Sequence, residues 1–160
     1  MRTKRVTRSC TALATCAALF TGSTQAGLAA VIGSCTIMVQ SSGTMKTAPS
    51  LDAMSSRNSG GSPAQVSVNP QSLVCNILAL LDCYSISTPA AASFLTWPAG
   101  WSGSASFASA FRIDGGVERP GNTPVMVANG TKTLEIELDA SSGSIFRAGA
   151  YQAQVTVRCE

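Results

Sequence analysis

Apolar and polar residues alternate with a period of two along much of this chain. Near the C-terminus Tyr151, Ala153, Val155, Val157 and Cys159 alternate with Gln152, Gln154, Thr156 and Arg158. A period of two sends one set of side chains to a buried face and the other to water, which is the pattern of a half-buried β-strand. Leu134, Ile136 and Leu138 alternate in the same way with Glu135, Glu137 and Asp139. Val31, Cys35, Ile37 and Val39 share one face of residues 31–39, with Cys35 pointing inward. Shorter segments of this kind are residues 64–69 with Val66 and Val68, residues 105–113 with Phe107 and Phe111, residues 125–127, and residues 83–87. Turn-forming clusters such as Asn69-Pro70, Gly115-Gly116, Pro120-Gly121 and Ser142-Gly143 separate them, and Asn129-Gly130 is a strong hairpin signal. About seven short strands with such punctuation predict an all-β fold, an antiparallel β-sandwich. The apolar run at residues 72–81 fits either a helical turn or the buried end of a strand. Residues 41–63, rich in Ser and Gly, read as a long flexible loop or a ragged edge connection inside a single domain spanning residues 27–160.

The N-terminus follows a different rule. Arg2, Lys4, Arg5 and Arg8 precede an uncharged, mostly apolar stretch from Cys10 to Phe20, and Thr24-Gln25-Ala26 supplies small residues around a cleavage point. Together these make residues 1–26 a secretory signal peptide. Thr, Ser and Gln interrupt the stretch too early for a membrane span. Two lipoprotein-type alternatives compete with simple cleavage, at Leu13-Ala14-Thr15-Cys16 and at Ile32-Gly33-Ser34-Cys35. Export changes the charge picture. The whole chain has 11 Lys and Arg against 8 Asp and Glu, net +3, but four of the cations lie in the signal and all the acids lie after it. The remaining chain has 7 cations and 8 anions, net −1. No basic face is left for nucleic acid. Cys35, Cys75, Cys83 and Cys159 also remain, and four cysteines in an exported domain read as two disulfides with three possible connectivities. The oxidising compartment this implies is extracellular or periplasmic.

Chemistry is sparse. The chain contains no His, which excludes a Ser-His-Asp triad or a Cys-His pair. No SxxK motif and no Gly-rich phosphate loop is present. The Cys spacing lacks the short pairs of a zinc site. Glu135, Glu137 and Asp139 read as a solvated strand face, with a weak cation site as the sharper alternative, and Asp114 and Glu118 around Gly115-Gly116 form a second such pair. The expectation is a protein without catalytic activity, cofactor or metal. Trp97 and Trp101 bracket Pro98-Ala99-Gly100. They either cap one end of the core or grip a glycan or protein partner from an exposed loop. Asn129-Gly130-Thr131 is a glycosylation sequon.

Two segments carry a resemblance. Gly33-Ser34-Cys35-Thr36-Ile37 on the first strand, with Cys75 as its partner, and Ala148-Gly149-Ala150-Tyr151-Gln152-Ala153-Gln154-Val155-Thr156-Val157 at the end resemble bacterial pilin-like and spore coat protein U-like secreted proteins. The resemblance implies an immunoglobulin-like sandwich, periplasmic export, and a structural role in surface fibres or coats, with a chaperone and usher as partners. It also implies bridges Cys35–Cys75 and Cys83–Cys159, against the rival set Cys75–Cys83 and Cys35–Cys159. Assembly in that group uses strand addition. The regular alternation at residues 151–159 predicts instead a well-formed last strand and a domain that is complete by itself.

Overall fold

The computed structural model describes residues 33–77 and 83–160. The signal-peptide assignment for residues 1–26 lies outside the described residues, as do both N-terminal ends of the lipoprotein alternatives. The strands are β1 (Gly33–Ser41), β2 (Lys46–Thr47), β3 (Ala53–Ser55), β4 (Ala64–Ser72), β5 (Tyr84–Ser87), β6 (Phe94–Thr96), β7 (Ala105–Ile113), β8 (Arg119–Pro120), β9 (Val125–Val127), β10 (Lys132–Ser142), β11 (Gln152–Ala153) and β12 (Arg158–Cys159). One short helix, α1 (Leu73–Ile77), follows β4. All the described pairings are antiparallel, so the all-β expectation holds, and each alternating segment of the sequence contains a strand.

The main sheet runs β1-β4-β10-β3-β2, with β7 also on β10 and β8 on β7. Strand β10 is its spine. It has β4 and β3 along one edge and β7 along the other. Two smaller sheets, β12-β5-β9 and β11-β6, lie apart from it. The core forms where the main sheet meets the three-stranded one. Val66, Val68, Phe111, Leu134 and Ile136 pack there with Ile86 and Val127. Phe111, Leu134, Val68 and Ile86 are fully buried. A second cluster joins Met54, Phe94, Trp101, Ala140 and Phe146.

Two glycines serve these contacts. Gly130 takes a positive φ of 103° in the turn before β10, a conformation that favours a residue without Cβ. A Cβ on Gly121 would lie 2.2 Å from the Thr88 carbonyl oxygen and 2.0 Å from Ser109 Oγ. Only glycine lets the β8–β9 connection press this closely against β7.

Three expectations need correcting. Residues 41–63 are not a flexible loop but the alternative, an edge connection. They hold β2 and β3, and an isolated bridge joins Thr44 to Ser62. Strand β3 exists because β10 has a free edge beyond β4, and Met54 gains burial by adding there. Residues 151–159 do not make one continuous strand. Only β11 and β12 are paired, and residues 154–157 between them join no ladder among the described residues. Ile37 and Val39 are not core residues either, being 40% and 71% exposed. The layer opposite them is that unpaired stretch, whose half-buried Val155 and Val157 pack on the core without a ladder to hold them.

Candidate functional site

The cysteines define the frame. Cys35 of β1 is bonded to Cys159 of β12, with Cα atoms 6.3 Å apart, and Cys75 of α1 to Cys83, at 6.2 Å. This is the rival connectivity, and it replaces the Cys35–Cys75 and Cys83–Cys159 pairs implied by resemblance. The physical reason lies in the topology. Cys35 sits on the inward face of β1 opposite the layer that contains β12, whereas Cys75 lies beyond the end of β4 in the helix that leaves the sheet. The first bridge ties the two layers together at the edge strand. The second closes the short crossover from β4 to β5. Two disulfides fit an oxidising compartment. Among the described residues no helix is long and apolar enough to cross a membrane.

Between β1 and the C-terminal stretch lies an open seam. It is a groove of about 730 Å³ bordered by Val39, Met45, Val66, Ile136, Leu138 and Val155, among others, and none of its lining residues is charged. Two strand edges face this side. One is β1, which among the described residues pairs with β4 alone. The other is residues 154–157, where Val155 and Val157 remain only half-buried and no backbone hydrogen bond reaches another described segment. An exposed apolar wall beside unpaired backbone can accept an extended chain. The alternation at residues 151–157 shows which side chains face inward, but not that the backbone lacks a neighbour. The lack of charge from Gly33 to Met45 is the sequence signal for the β1 edge.

The tryptophans divide. Trp101 is 9% exposed and packs against Phe94 at 5.7 Å, Phe146 at 5.7 Å and Tyr151 at 5.6 Å between ring centroids. Its Nε1 is buried without a hydrogen-bond partner among the described residues. It is therefore a core residue at one end of the domain. Trp97 stands beside it, ring centroids 6.4 Å apart, and is 52% exposed.

Two of the three β10 carboxylates, Glu137 and Asp139, are engaged in ion pairs. Glu137 is buried, accepts a hydrogen bond from Ser56 Oγ and lies 3.7 Å from Arg112. Glu118 bridges Arg57 at 3.0 Å and Arg112 at 2.5 Å, and Arg57 also pairs with Asp139. Burial pulls the Arg57 guanidinium pKa down. The hydrogen bond and attraction from Asp139, with Glu118 and Glu137 behind it, outweigh that and raise it above its ordinary value. A raised cation pKa stabilises the fold below the unfolded value, so Arg57's contribution is lost only in strong alkali. The network fastens the turn after β3 and the β7–β8 turn to the main sheet. Of the three β10 carboxylates Glu135 alone remains outside it. Asp114, with φ of 51°, accepts the Thr133 backbone N–H at 2.8 Å and is a turn residue.

Asn129 acts as a substitute ladder rung. Its Oδ1 accepts from Ser72 N at 3.0 Å, and its Nδ2 donates to Ser72 O and to Asn76 Oδ1, both at 2.7 Å. The nitrogen that a sequon would modify is thus committed inside the fold. Comparison with protein-family models, with curated proteins and with solved structures gave no match.

Proposed function

We propose that this chain is an exported, disulfide-stabilised structural or surface protein of the fimbrial or coat type, without catalytic activity, which works by accepting an extended strand along its open seam. The observation that carries this reading is the uncharged groove of about 730 Å³ flanked by two edges that pair with nothing further among the described residues. A domain finished for solitary life covers such an edge or charges it. The resemblance to pilin-like and spore coat U-like proteins points the same way, to the periplasm or cell surface, with a chaperone and usher as partners. Carboxylates that could serve in hydrolysis are instead held in ion pairs with Arg57 and Arg112.

Size-exclusion chromatography with light scattering on the oxidised protein, before and after mild denaturation, tests the reading. Higher assemblies support it, and a single chain mass under every condition contradicts it. A second reading has its own observation, since Trp97 stands 52% exposed beside the buried Trp101. This suits a glycan- or protein-binding module. Glycan-array binding that disappears in Trp97→Ala would move that reading to the front.

A further inference from the structure

Strand β1 has a definite chemical polarity across its width. Cys35 lies opposite Pro70 in the β1–β4 register, and Ile37 opposite Val68. Pro70 has no N–H, and its carbonyl accepts from Gly130 N at 3.0 Å, on the side away from β1. Cys35 and Pro70 therefore form a pair without ladder hydrogen bonds. By the period of two the same holds for Ile37 and Val39. The backbone N–H and C=O groups of Cys35, Ile37 and Val39 consequently point out of the sheet, while those of Thr36 and Met38 bond to β4.

This outward row lies on a nine-residue edge that carries no charge and no proline. From Thr36 onward the strand is exposed, with Met38 at 56% on one face and Ile37 and Val39 on the other. Most natural edges of this length are blunted by lysine, proline or a covering loop. The missing charge also selects the partner. In a two-fold pairing each residue meets a copy of its own strand, so any charge on the edge would risk facing its like. An edge without charge is complementary to itself.

We propose that β1 is a homodimerisation edge: two copies pair antiparallel through β1 about a two-fold axis at Ile37 and join their main sheets into one. Ile37, the central residue of β1, exchanges both backbone hydrogen bonds with its counterpart, and Cys35 of each copy stands opposite Val39 of the other. The partner is a second copy of this chain. The proposal rests on the reading of the protein as an assembling structural subunit, and specifies which edge the copies use first.

Ile37→Pro provides the test, because it removes a donor that faces outward and leaves every β1–β4 hydrogen bond in place. Light scattering over a concentration series of the oxidised wild-type protein is expected to give twice the chain mass. Ile37→Pro is expected to raise the dimer dissociation constant about tenfold or more while the circular dichroism spectrum and melting temperature stay near wild type. Met38→Pro removes a β4-facing donor and is expected to destabilise the fold itself. Should Ile37→Pro fail to fold, Ile37→Lys places two like charges on the axis and is expected to give the same loss of dimer. A dimer that survives these Ile37 variants, or an open ladder in place of a dimer, overturns the β1 pairing and leaves the assembly reading intact. A wild-type protein with a single chain mass at every concentration overturns both.

Discussion

The closed core around Phe111 and the open seam beside Val39 are built from similar side chains on neighbouring parts of the same sheet. Around Phe111, strands β4, β7 and β10 are covered by Ile86 and Val127 from the three-stranded sheet. Beside Val39 the covering layer is residues 154–157, which have inward valines but no ladder. Apolar side chains alone do not close a core. The backbone that carries them must also find hydrogen-bonding neighbours, and here the opposite layer breaks into two small sheets with a gap between them.

The sharpest way to test this contrast is to empty each region in turn. Phe111→Ala should cost about 3–5 kcal/mol, read from urea unfolding, because a fully buried ring leaves a cavity. A loss below about 1 kcal/mol would mean that the Phe111 region is as loose as the seam. Cys159→Ser should cost about 2–5 kcal/mol and expose one reactive thiol at Cys35. The Cys35–Cys159 bridge spans 124 residues and Cys75–Cys83 spans 8. Chain entropy therefore makes the effect of Cys75→Ser about 2 kcal/mol smaller. The difference is measured by paired thermal melts with thiol titration, and equal losses would argue against the first bridge as the tie between layers. Ser56→Ala should cost about 1–3 kcal/mol, since Glu137 is buried and would lose its hydroxyl donor. Val39→Thr should stay within about 0.5 kcal/mol, as expected of a surface position. A larger loss at Val39 would place it in a core that is already closed.

How much of this could be read from residues alone differs from element to element. Strand β10 was legible because Leu134, Ile136 and Leu138 are buried on one face of a strand with neighbours along both edges, so composition and environment agree. Strand β3 was hidden. Its three residues contain a single large apolar side chain, Met54, in a Ser-rich stretch, and they become a strand only because β10 offers an edge. The ion pairs of Glu137 and Asp139 were hidden for a related reason. Their partners Arg112 and Arg57, and Glu118 which bridges those two arginines, come from distant positions brought together by β7, the turn after β3 and the β7–β8 turn. Cysteine pairing depends on which strands share a layer, which spacing does not encode. The 154–157 side of the seam was invisible, because alternation records where side chains point and not whether the backbone has a neighbour. The aromatic loop was half legible, with Trp101 in the core and Trp97 outside it.

Amide hydrogen exchange, resolved by residue on the oxidised protein at a concentration where a single copy prevails, tests the open seam most directly. The account predicts rapid exchange at residues 154–157, close to that of an unstructured peptide. Leu134, Ile136 and Leu138 of β10, with neighbours on both sides, should exchange slowest. Equal protection of residues 154–157 and β10 would mean that the last strand is paired throughout. The seam would then be closed, and the account of the protein as a strand acceptor would fail.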